Sequence, residues 1–497
     1  MISHLSSPDD AARWLRASVA GSLSADSRAV ARGDGFIAWP GAASDGRGYV
    51  NEVLALGANA CLVEAEGIEK FGFSDARIAT YPGLKAATAQ IASHYFNAPS
   101  QQLQVIAVTG TNGKTSTAWW LAQALGRLSR KCGVVGTLGV GAPDALVPNG
   151  LTTPDPVLLQ QQLRRFVDNG FVACALEASS IGLAEHRLDA TQISVAVFTN
   201  FTQDHLDYHG SMQAYWSAKQ ALFAWPGLQA AVINVDDTQG AALHDALKTS
   251  ALDLWTVSIE GPARLQAKAV HPGLQTLAFD VFEGSERQPV TMSSVGLYNV
   301  SNLLGVLAAM RALGISLQDA AAAASDLPSV PGRLQTLAIA GEPLVAIDYA
   351  HTPDALEKVL LALRSVAQAR GGQLWCLFGC GGDRDTSKRA LMATAAQKNA
   401  DQLVVTSDNP RNENPEVIIN HILEGLTRGD SVHVQADRAL AIAQTLDAAK
   451  ACDVVLLAGK GHETYQDVAG VKYPFSDVQH AQGALEVRRA SSSRGAA

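Results

Sequence analysis

Residues 105–117 read V-I-A-V-T-G-T-N-G-K-T-S-T, an order of residue types suited to holding phosphate. An apolar strand runs into a glycine-rich turn, and the turn opens a helix at Lys-Thr. Backbone N–H groups and a helix N-terminus then surround an anion, with Lys114 on the outer phosphates and Thr115 on Mg²⁺. Val108 stands where the common G-x-x-x-x-G-K-[ST] pattern has its first glycine, so the match carries one departure. Trp119 and Trp120, just inside the helix, read as packing residues. A second cluster follows. Glu177 ends the strand-like F-V-A-C-A-L-E, and T-N-F-T-Q-D-H-L-D-Y-H-G (199–210) ends the next strand with Asn200, Asp204, His205, Asp207 and His209. Carboxylates and imidazoles at the carboxyl ends of neighbouring strands lie where open α/β sheets bind ligands. On residue types alone, a Mg²⁺ site beside a nucleotide and an Asp/His-rich surface loop with capping duties are equally good readings. Lys219, on the helical pattern Y-W-S-A-K-Q-A-L-F, reads on composition as a solvated or snorkelling lysine. Late in the chain, the apolar run 403–405 leads into T-S-D-N-P-R-N-E-N-P. That places Asp408, Asn409, Pro410 and Arg411 where a buried strand ends and a loop begins.

The elements that must carry these residues fall into three blocks. Residues 1–99 have short strands and Gly-rich turns, such as G-D-G-F-I-A-W-P-G, and close on a helical pattern ending at Asn97-Ala98-Pro99. From Gln104 the pattern becomes apolar strand, glycine turn and helix, repeated through V-I-A-V-T-G, C-G-V-V-G-T, F-V-A-C-A-L-E, I-S-V-A-V-F-T-N and A-A-V-I-N-V. Such alternation predicts a mostly parallel, doubly wound sheet. The breaker L-P-S-V-P-G-R (327–333) sets a second boundary, giving a block 100–332. In the last block, 333–497, alternation returns through L-V-A-I-D-Y, L-W-C-L-F-G, L-V-V-T-S-D and V-V-L-L-A-G. The final R-A-S-S-S-R-G-A-A is expected to be disordered. The fold class is therefore α/β in three domains.

Composition excludes several classes. The 497 residues are 47% hydrophobic and 17% charged, enough for several cores, and length over roughly 150 residues per domain agrees with three. A net charge of −9, without a Lys/Arg block or aromatic-interleaved basic stripe, speaks against nucleic acid. The six cysteines form no C-x-x-C pair and sit in apolar surroundings, as in a reduced cytoplasmic protein. M-I-S-H-L-S-S-P-D-D has neither a basic n-region nor an apolar h-region, and no apolar run reaches about 18 residues, so neither export nor membrane insertion is expected. Monomer is the default expectation.

Taken in order, G-T-N-G-K-T, L-T-T-P, E-A-S-S, T-N-x-x-x-D-H-L-D-Y-H-G, Y-x-x-A-K, Y-N-V-S-N-L-L-G, P-G-R, D-Y-A-H-T-P-D, G-C-G-G-D-R-D, D-N-P-R and G-K-G-H-E resemble the Mur ligases of peptidoglycan synthesis. The resemblance covers nearly the whole chain, from D-S-R at 26–28 to G-K-G-H-E at 459–463. Within the family it is similar to members that add the third residue to UDP-N-acetylmuramoyl-L-alanyl-D-glutamate. It implies an N-terminal domain for the uridine nucleotide, a central ATPase domain and a C-terminal Rossmann-like domain that brings the amino acid. ATP is then a co-substrate and Mg²⁺, as two ions, the metal.

Position by position, the resemblance implies Gly110, Thr111, Asn112, Gly113, Lys114, Thr115, Ser116, Asn299, Asn302, Arg333 and Asp348, with His351, around the nucleotide. It implies Ser27, Ala43, Ser44 and Asp45 on the UDP part, and Thr152, Thr153, Ser179, Glu185 and Arg187 at the muramoyl-dipeptide end. Lys114, Glu177, His205 and Lys219 are the implied catalytic group. Thr115, Glu177 and His205 are the implied metal ligands together with Lys219, which the family carries as a carbamate, turning a cation into a carboxylate-like ligand. Arg384, Asp408, Asn409, Pro410, Arg411, Gly459 and Glu463 are implied for meso-diaminopimelate. The Arg411 fork suits its far carboxylate, with Glu463 pairing the distal ammonium. The lysine-adding members, the alternative, lack this arginine.

Overall fold

Continuous apolar runs, four to six residues long, become strands buried on both faces, and sequence order dictates where their ends go. The computed structural model describes residues 2–41, 44–273, 276–427 and 429–495. Three sheets carry the chain. In the first, five short parallel strands run in the order Ser3–His4, Ile78–Tyr81, Ala60–Glu64, Gly35–Ala38, Leu23–Ser24. The helices Pro8–Ser18 and Leu84–Tyr95 pack together on one face, over a core that includes Leu15, Leu62 and Ile91.

The central sheet has a parallel heart ordered Asp253–Ser258, Ala230–Asn234, Val195–Phe198, Gln104–Thr109, Ala173–Glu177, Cys132–Gly136. Each run singled out by strand-turn-helix alternation is one of these strands. Gln104–Thr109 lies in the middle: the chain first winds to one side of it and then returns to the other, so its carboxyl end is a switch point between oppositely directed connections. Antiparallel hairpins extend both edges of this heart, a departure from the simple doubly wound expectation. The helix Leu297–Ala312 is apolar nearly all round because it is buried between the sheet, the helix Lys114–Arg127 and the helix Leu317–Ala324.

The third sheet runs Gln335–Leu337, Leu344–Asp348, Val454–Ala458, Leu374–Phe378, Gln402–Val405, Val432–Val434, parallel except for its first strand. Neighbouring strand ends therefore deliver G-K-G-H-E, G-C-G-G-D-R-D and D-N-P-R side by side. A two-stranded hairpin, Tyr465–Val468 with Val471–Pro474, follows. The tail expected to be disordered is helical as far as Gly495, at the end of the helix Asp477–Gly495. Ala481 and Leu485 are fully buried in the third sheet's core, and once a helix is anchored each further residue costs little to add. All six cysteines are free, and burial pushes the Cys61 thiol up to about 12, which agrees with the reduced-core reading.

Under the third sheet's strand ends lies the ion pair Arg438–Asp477, 2.7 Å apart with both side chains fully buried. The guanidinium also donates to Ala458 O at 2.9 Å and to Ser407 O at 3.4 Å, tying the last turns of two strands. Removing one partner of such a pair leaves an uncompensated buried charge. Asp477→Ala is therefore expected to destabilise this part of the protein by about 3–5 kcal/mol, read as a fall in the denaturant or thermal midpoint.

Candidate active site

The turn after Gln104–Thr109 is shaped by two glycines that no other residue replaces without displacing a neighbour. Gly110 has φ +143°, and a Cβ there would lie 1.9 Å from Thr199 Oγ1; Gly113 has φ +85°, and its Cβ would meet Asn302 Oδ1 at 2.3 Å. The turn is stitched to the next strand end: Asn112 N donates to Asn200 Oδ1 at 2.9 Å, and Thr199 Oγ1 donates to Asn112 O at 2.6 Å. Lys114 Nζ donates to Gly110 O and Thr111 O at 2.9 and 2.8 Å, so the lysine folds back over its own loop. Burial lowers its pKa, opposed by Glu177 and Asp204.

Glu177 is fully buried and its carboxylate is a junction. It accepts from Thr115 Oγ1 at 3.0 Å, Thr137 N at 2.8 Å and Thr137 Oγ1 at 3.1 Å. Arg333 NH2 donates to the same Thr115 hydroxyl at 3.1 Å, reaching it from the start of the last block. Asp348, buried beside Arg333, is pushed up to about 6 by burial, with Arg333 and two backbone amides opposing. Lys219 is fully buried. Its Nζ donates to Gly110 O at 2.7 Å and lies over the Tyr215 ring at 4.5 Å. Burial and then the charge of Lys114 hold its pKa well below the usual lysine range. The snorkelling reading of Lys219 is thereby overturned, because the helix Met212–Gln220 turns this residue inward under the phosphate loop.

His205, in a left-handed conformation at φ +52°, has its Nε2 3.5 Å from Asp204 Oδ2, and His351 Nε2 lies 3.9 Å from the same oxygen. Burial raises the Asp204 pKa, but His351, His205 and Lys388 outweigh it and the net shift is downward. Among the described residues no three His, Cys, Asp or Glu side chains converge as a metal cage. Mg²⁺ asks less: it takes oxygen ligands, commonly one or two carboxylates beside substrate phosphates and water. The Thr115 hydroxyl and Glu177 carboxylate, 3.0 Å apart at the phosphate loop, fit that demand.

Three cavities surround this centre. A crevice lined by Asn112, Gly113, Ser116, Asn299, Asn302, Arg333, Asp348 and His351 lies between the second and third sheets, and it opens into a larger one of about 820 Å³ that shares Asn200, Tyr298, Asn302 and Lys358. Asn299 is partly a structural residue, since its Nδ2 donates to Ser294 Oγ and Val295 O, each at 2.8 Å. A second cleft of about 510 Å³ brings Thr152, Thr153, Ser179, Arg187, Asp204 and His205 from the central block opposite Arg384, Asp408, Asn409, Arg411, Gly459 and Glu463. Pro410 is behind its wall, packed with its carbonyl where a Gly382 Cβ would be. A third cavity of about 560 Å³ includes Ser27 and Ser44 on the first sheet and Leu151 and Asp155 on the central block.

Two residues expected at the uridine substrate have protein partners in this structure. Asp45 caps the turn Gly46–Tyr49 and pairs with the buried Arg47 at 2.7 Å, because a neighbouring guanidinium holds a carboxylate more strongly than an open cavity does. Glu185 pairs with Lys85 at 2.6 Å and accepts from Tyr208 Oη, so it straps the first block to the second. Ala43 lies outside the described residues.

Residues 108–310 match the Mur ligase middle domain and residues 332–461 the Mur ligase glutamate ligase domain. The UDP-N-acetylmuramoyl-L-alanyl-D-glutamate–2,6-diaminopimelate ligase of Acidovorax sp. (strain JS42) is 60% identical over 492 residues, covering 97% of this chain and 98% of that one. This chain belongs to the Mur ligase family. The enzyme of the same description from Pseudomonas aeruginosa is 46% identical across 93% of this chain and 94% of its own. A solved structure of such a ligase superposes with a TM-score of 0.64 at 35% identity, covering 94% of this chain and 95% of that one. A MurF ligase from Thermotoga maritima in complex with ADP, 18% identical with a TM-score of 0.65, shares the fold, covering 94% and 97%.

Within this Mur ligase, three residues at the site escape reading by motif. Thr137 makes two hydrogen bonds to Glu177, and Lys388 faces Asp204 and His351; nothing in their local sequence marks them. Lys460 lies inside a quoted motif, where spacing alone gives it no separate role. Arg411 has φ +50°, and its backbone is gripped on both sides by the hairpin: its N–H donates to Asp467 O at 2.9 Å and its carbonyl accepts from Ala469 N at 2.7 Å.

His462, beside the Tyr349 ring, is pushed down to about 4 by burial and Arg333. Unfolded histidine protonates near 6.5, so the unfolded state binds the extra proton as pH falls. Stability is complete above about 6.5 and is lost between about 6.5 and 4, with a slope of up to about 1.4 kcal/mol per pH unit. Thermal midpoints measured from pH 7 to 4.5 are expected to fall less steeply in His462→Asn than in the unmodified protein.

Proposed function

We propose that this chain joins meso-diaminopimelate to the D-glutamate side-chain carboxylate of UDP-N-acetylmuramoyl-L-alanyl-D-glutamate, using ATP. The observation that carries this is Arg411. Its NH1 donates to Gly382 O at 2.6 Å, which orients the guanidinium, and the rest of the fork, with no other hydrogen-bond partner among the described residues, faces the cleft beside Asn409 and Glu463. Such a fork suits the second carboxylate of diaminopimelate and disfavours lysine, which lacks that carboxylate and would leave the arginine unpaired. The names of the 60% and 46% identical relatives agree.

The division of labour is 1–99 for the uridine nucleotide, 100–332 for ATP and 333–497 for the amino acid. The loop 110–116 and Lys114 hold the β- and γ-phosphates, and Arg333 and Asp348 reach the nucleotide from the last block. The side-chain carboxylate of D-glutamate takes the γ-phosphoryl group, releasing ADP and forming an acyl phosphate. The amine of diaminopimelate then attacks the acyl carbon, phosphate leaves and the amine proton is lost. Lys114 neutralises charge that builds on the transferred group. Thr115, Glu177 and His205 are the proposed donors to Mg²⁺, which when bound supplies further positive charge to the phosphates.

Lys219 is proposed as a carbamate. Burial and Lys114 favour its neutral amine, the form whose nitrogen adds to the carbon of CO₂ with loss of a proton. Because it sits under the loop at Gly110, the resulting anion adds negative charge where metal and phosphates meet. Lys219→Met is expected to lower kcat by about 100-fold or more, with the thermal midpoint close to that of the unmodified protein.

The deciding experiment is phosphate release with ATP, Mg²⁺ and the uridine dipeptide, adding meso-diaminopimelate or L-lysine in parallel. Turnover is expected with diaminopimelate alone; equal turnover with lysine would defeat the reading. Arg411→Ala is expected to lower kcat/KM for diaminopimelate by about 10- to 150-fold, the equivalent of about 1.5–3 kcal/mol for a hydrogen bond to a charged group.

A further inference from the structure

Behind the Arg411 loop lies a cation that the proposed reaction leaves unused. Lys460 is fully buried, at the end of the strand Val454–Ala458, with its Nζ 2.9 Å from Asn409 Oδ1 and 3.1 Å from Glu463 Oε2. The rings of Tyr465 and Phe475 stand 5.8 and 5.9 Å from the same nitrogen. Asn409 is itself 3% exposed, and its Oδ1 takes a second donor, the backbone N–H of Asp467, at 3.0 Å.

Those two donors decide which way the amide faces. An ammonium and a backbone N–H have only hydrogens to offer, so the group they share has to be the amide oxygen. The NH₂ group then faces the other way. One of its hydrogens goes to Glu463 Oε2 at 2.8 Å, and the other, with no protein acceptor among the described residues, is left to the cleft. Glu463 is set by the same network. Its Oε2 is occupied by Asn409 and Lys460, which leaves Oε1 as the acceptor offered to a ligand.

We infer that Lys460 is a positioning residue for specificity: together with the Asp467 amide it locks Asn409 with its NH₂ toward the cleft and Glu463 with one free oxygen, so that the site presents donors and an acceptor in the pattern of a zwitterionic amino-acid head. The inference rests on the proposed diaminopimelate reading and deepens it. Arg411 and the Asn409 NH₂ offer hydrogens to a carboxylate, while Glu463 Oε1 offers a lone pair to the ammonium on the same carbon. Lysine presents an ammonium alone and satisfies one half of the pattern.

The test is steady-state phosphate release by the full chain, with diaminopimelate or L-lysine varied at saturating ATP, Mg²⁺ and uridine dipeptide. Asn409→Asp preserves the size of the side chain and the bonds to Lys460 and the Asp467 amide, but replaces the donor with an acceptor. Its KM for diaminopimelate is expected to rise about 10-fold or more, with KM for ATP unchanged. Lys460→Met is expected to raise the same KM by a similar factor, to change kcat less than about threefold and to narrow the gap between diaminopimelate and lysine. A wild-type KM for diaminopimelate in Asn409→Asp would overturn the inference, as would loss of kcat with equal changes in KM for all three substrates in Lys460→Met. Should Lys460→Met not fold, Asn409→Asp decides alone. An unmodified protein that does not use diaminopimelate would instead sink the reading beneath it.

Discussion

A backbone-to-backbone contact at Gly332 sets the relation between the two sheets that face each other across the site. Its φ is +65°, and a Cβ there would lie 2.1 Å from His462 N, so a side chain at this position would force the crossing segment and the G-K-G-H-E loop apart. The next residue, Arg333, can reach Thr115 at the phosphate loop only because this approach is so close. A second tie, from Asn112 Nδ2 to Asp354 at 3.2 Å, holds the loop against the first turn of the helix Pro353–Arg370. The cleft that joins central and C-terminal residues is a consequence of these contacts.

Parallel strand order accounts for most of the rest. In the central sheet the strands on either side of Gln104–Thr109 end at Glu177 and Phe198, so both reach the phosphate loop. In the third sheet three neighbouring strands end at Phe378, Val405 and Ala458, so three loops share one wall of the cleft. Packing these loops closely takes charges out of water, and three of the buried cations have a carboxylate partner. Arg438 is paired with Asp477, Arg389 with Glu413 at 2.8 Å, and Lys460 with Glu463. Lys219 has no ion-pair partner among the described residues, and burial lowers its pKa.

Much of this was legible in one dimension. Fully buried strands show as unbroken apolar runs, so most parallel strands of the two larger sheets could be marked from the alternation of apolar runs, glycines and helical stretches, Asp253–Ser258 and Val432–Val434 being the ones missed. The phosphate loop was readable because its function depends on local backbone shape, for which Gly110 and Gly113 are the signature. The D-N-P-R turn was readable for the same reason. The tail after Arg488 was misread because its helix is held by contacts made earlier in the segment, at Ala481 and Leu485, and composition near the end carries no trace of them.

The sequence by itself determined the class of fold and the family and marked many of the side chains that line the cavities, because motifs record which atoms must follow one another along the chain. Only the tertiary structure decided what those groups are paired with. Lys219 faces inward, Glu185 pairs with Lys85, and His205 sits by Asp204. Lys460 and Asp467 N–H decide how the Asn409 amide points, although Lys460 is 51 residues away in the chain. Partnership between side chains depends on distance and burial in space, and the sum of those effects is not written in any local stretch of residues.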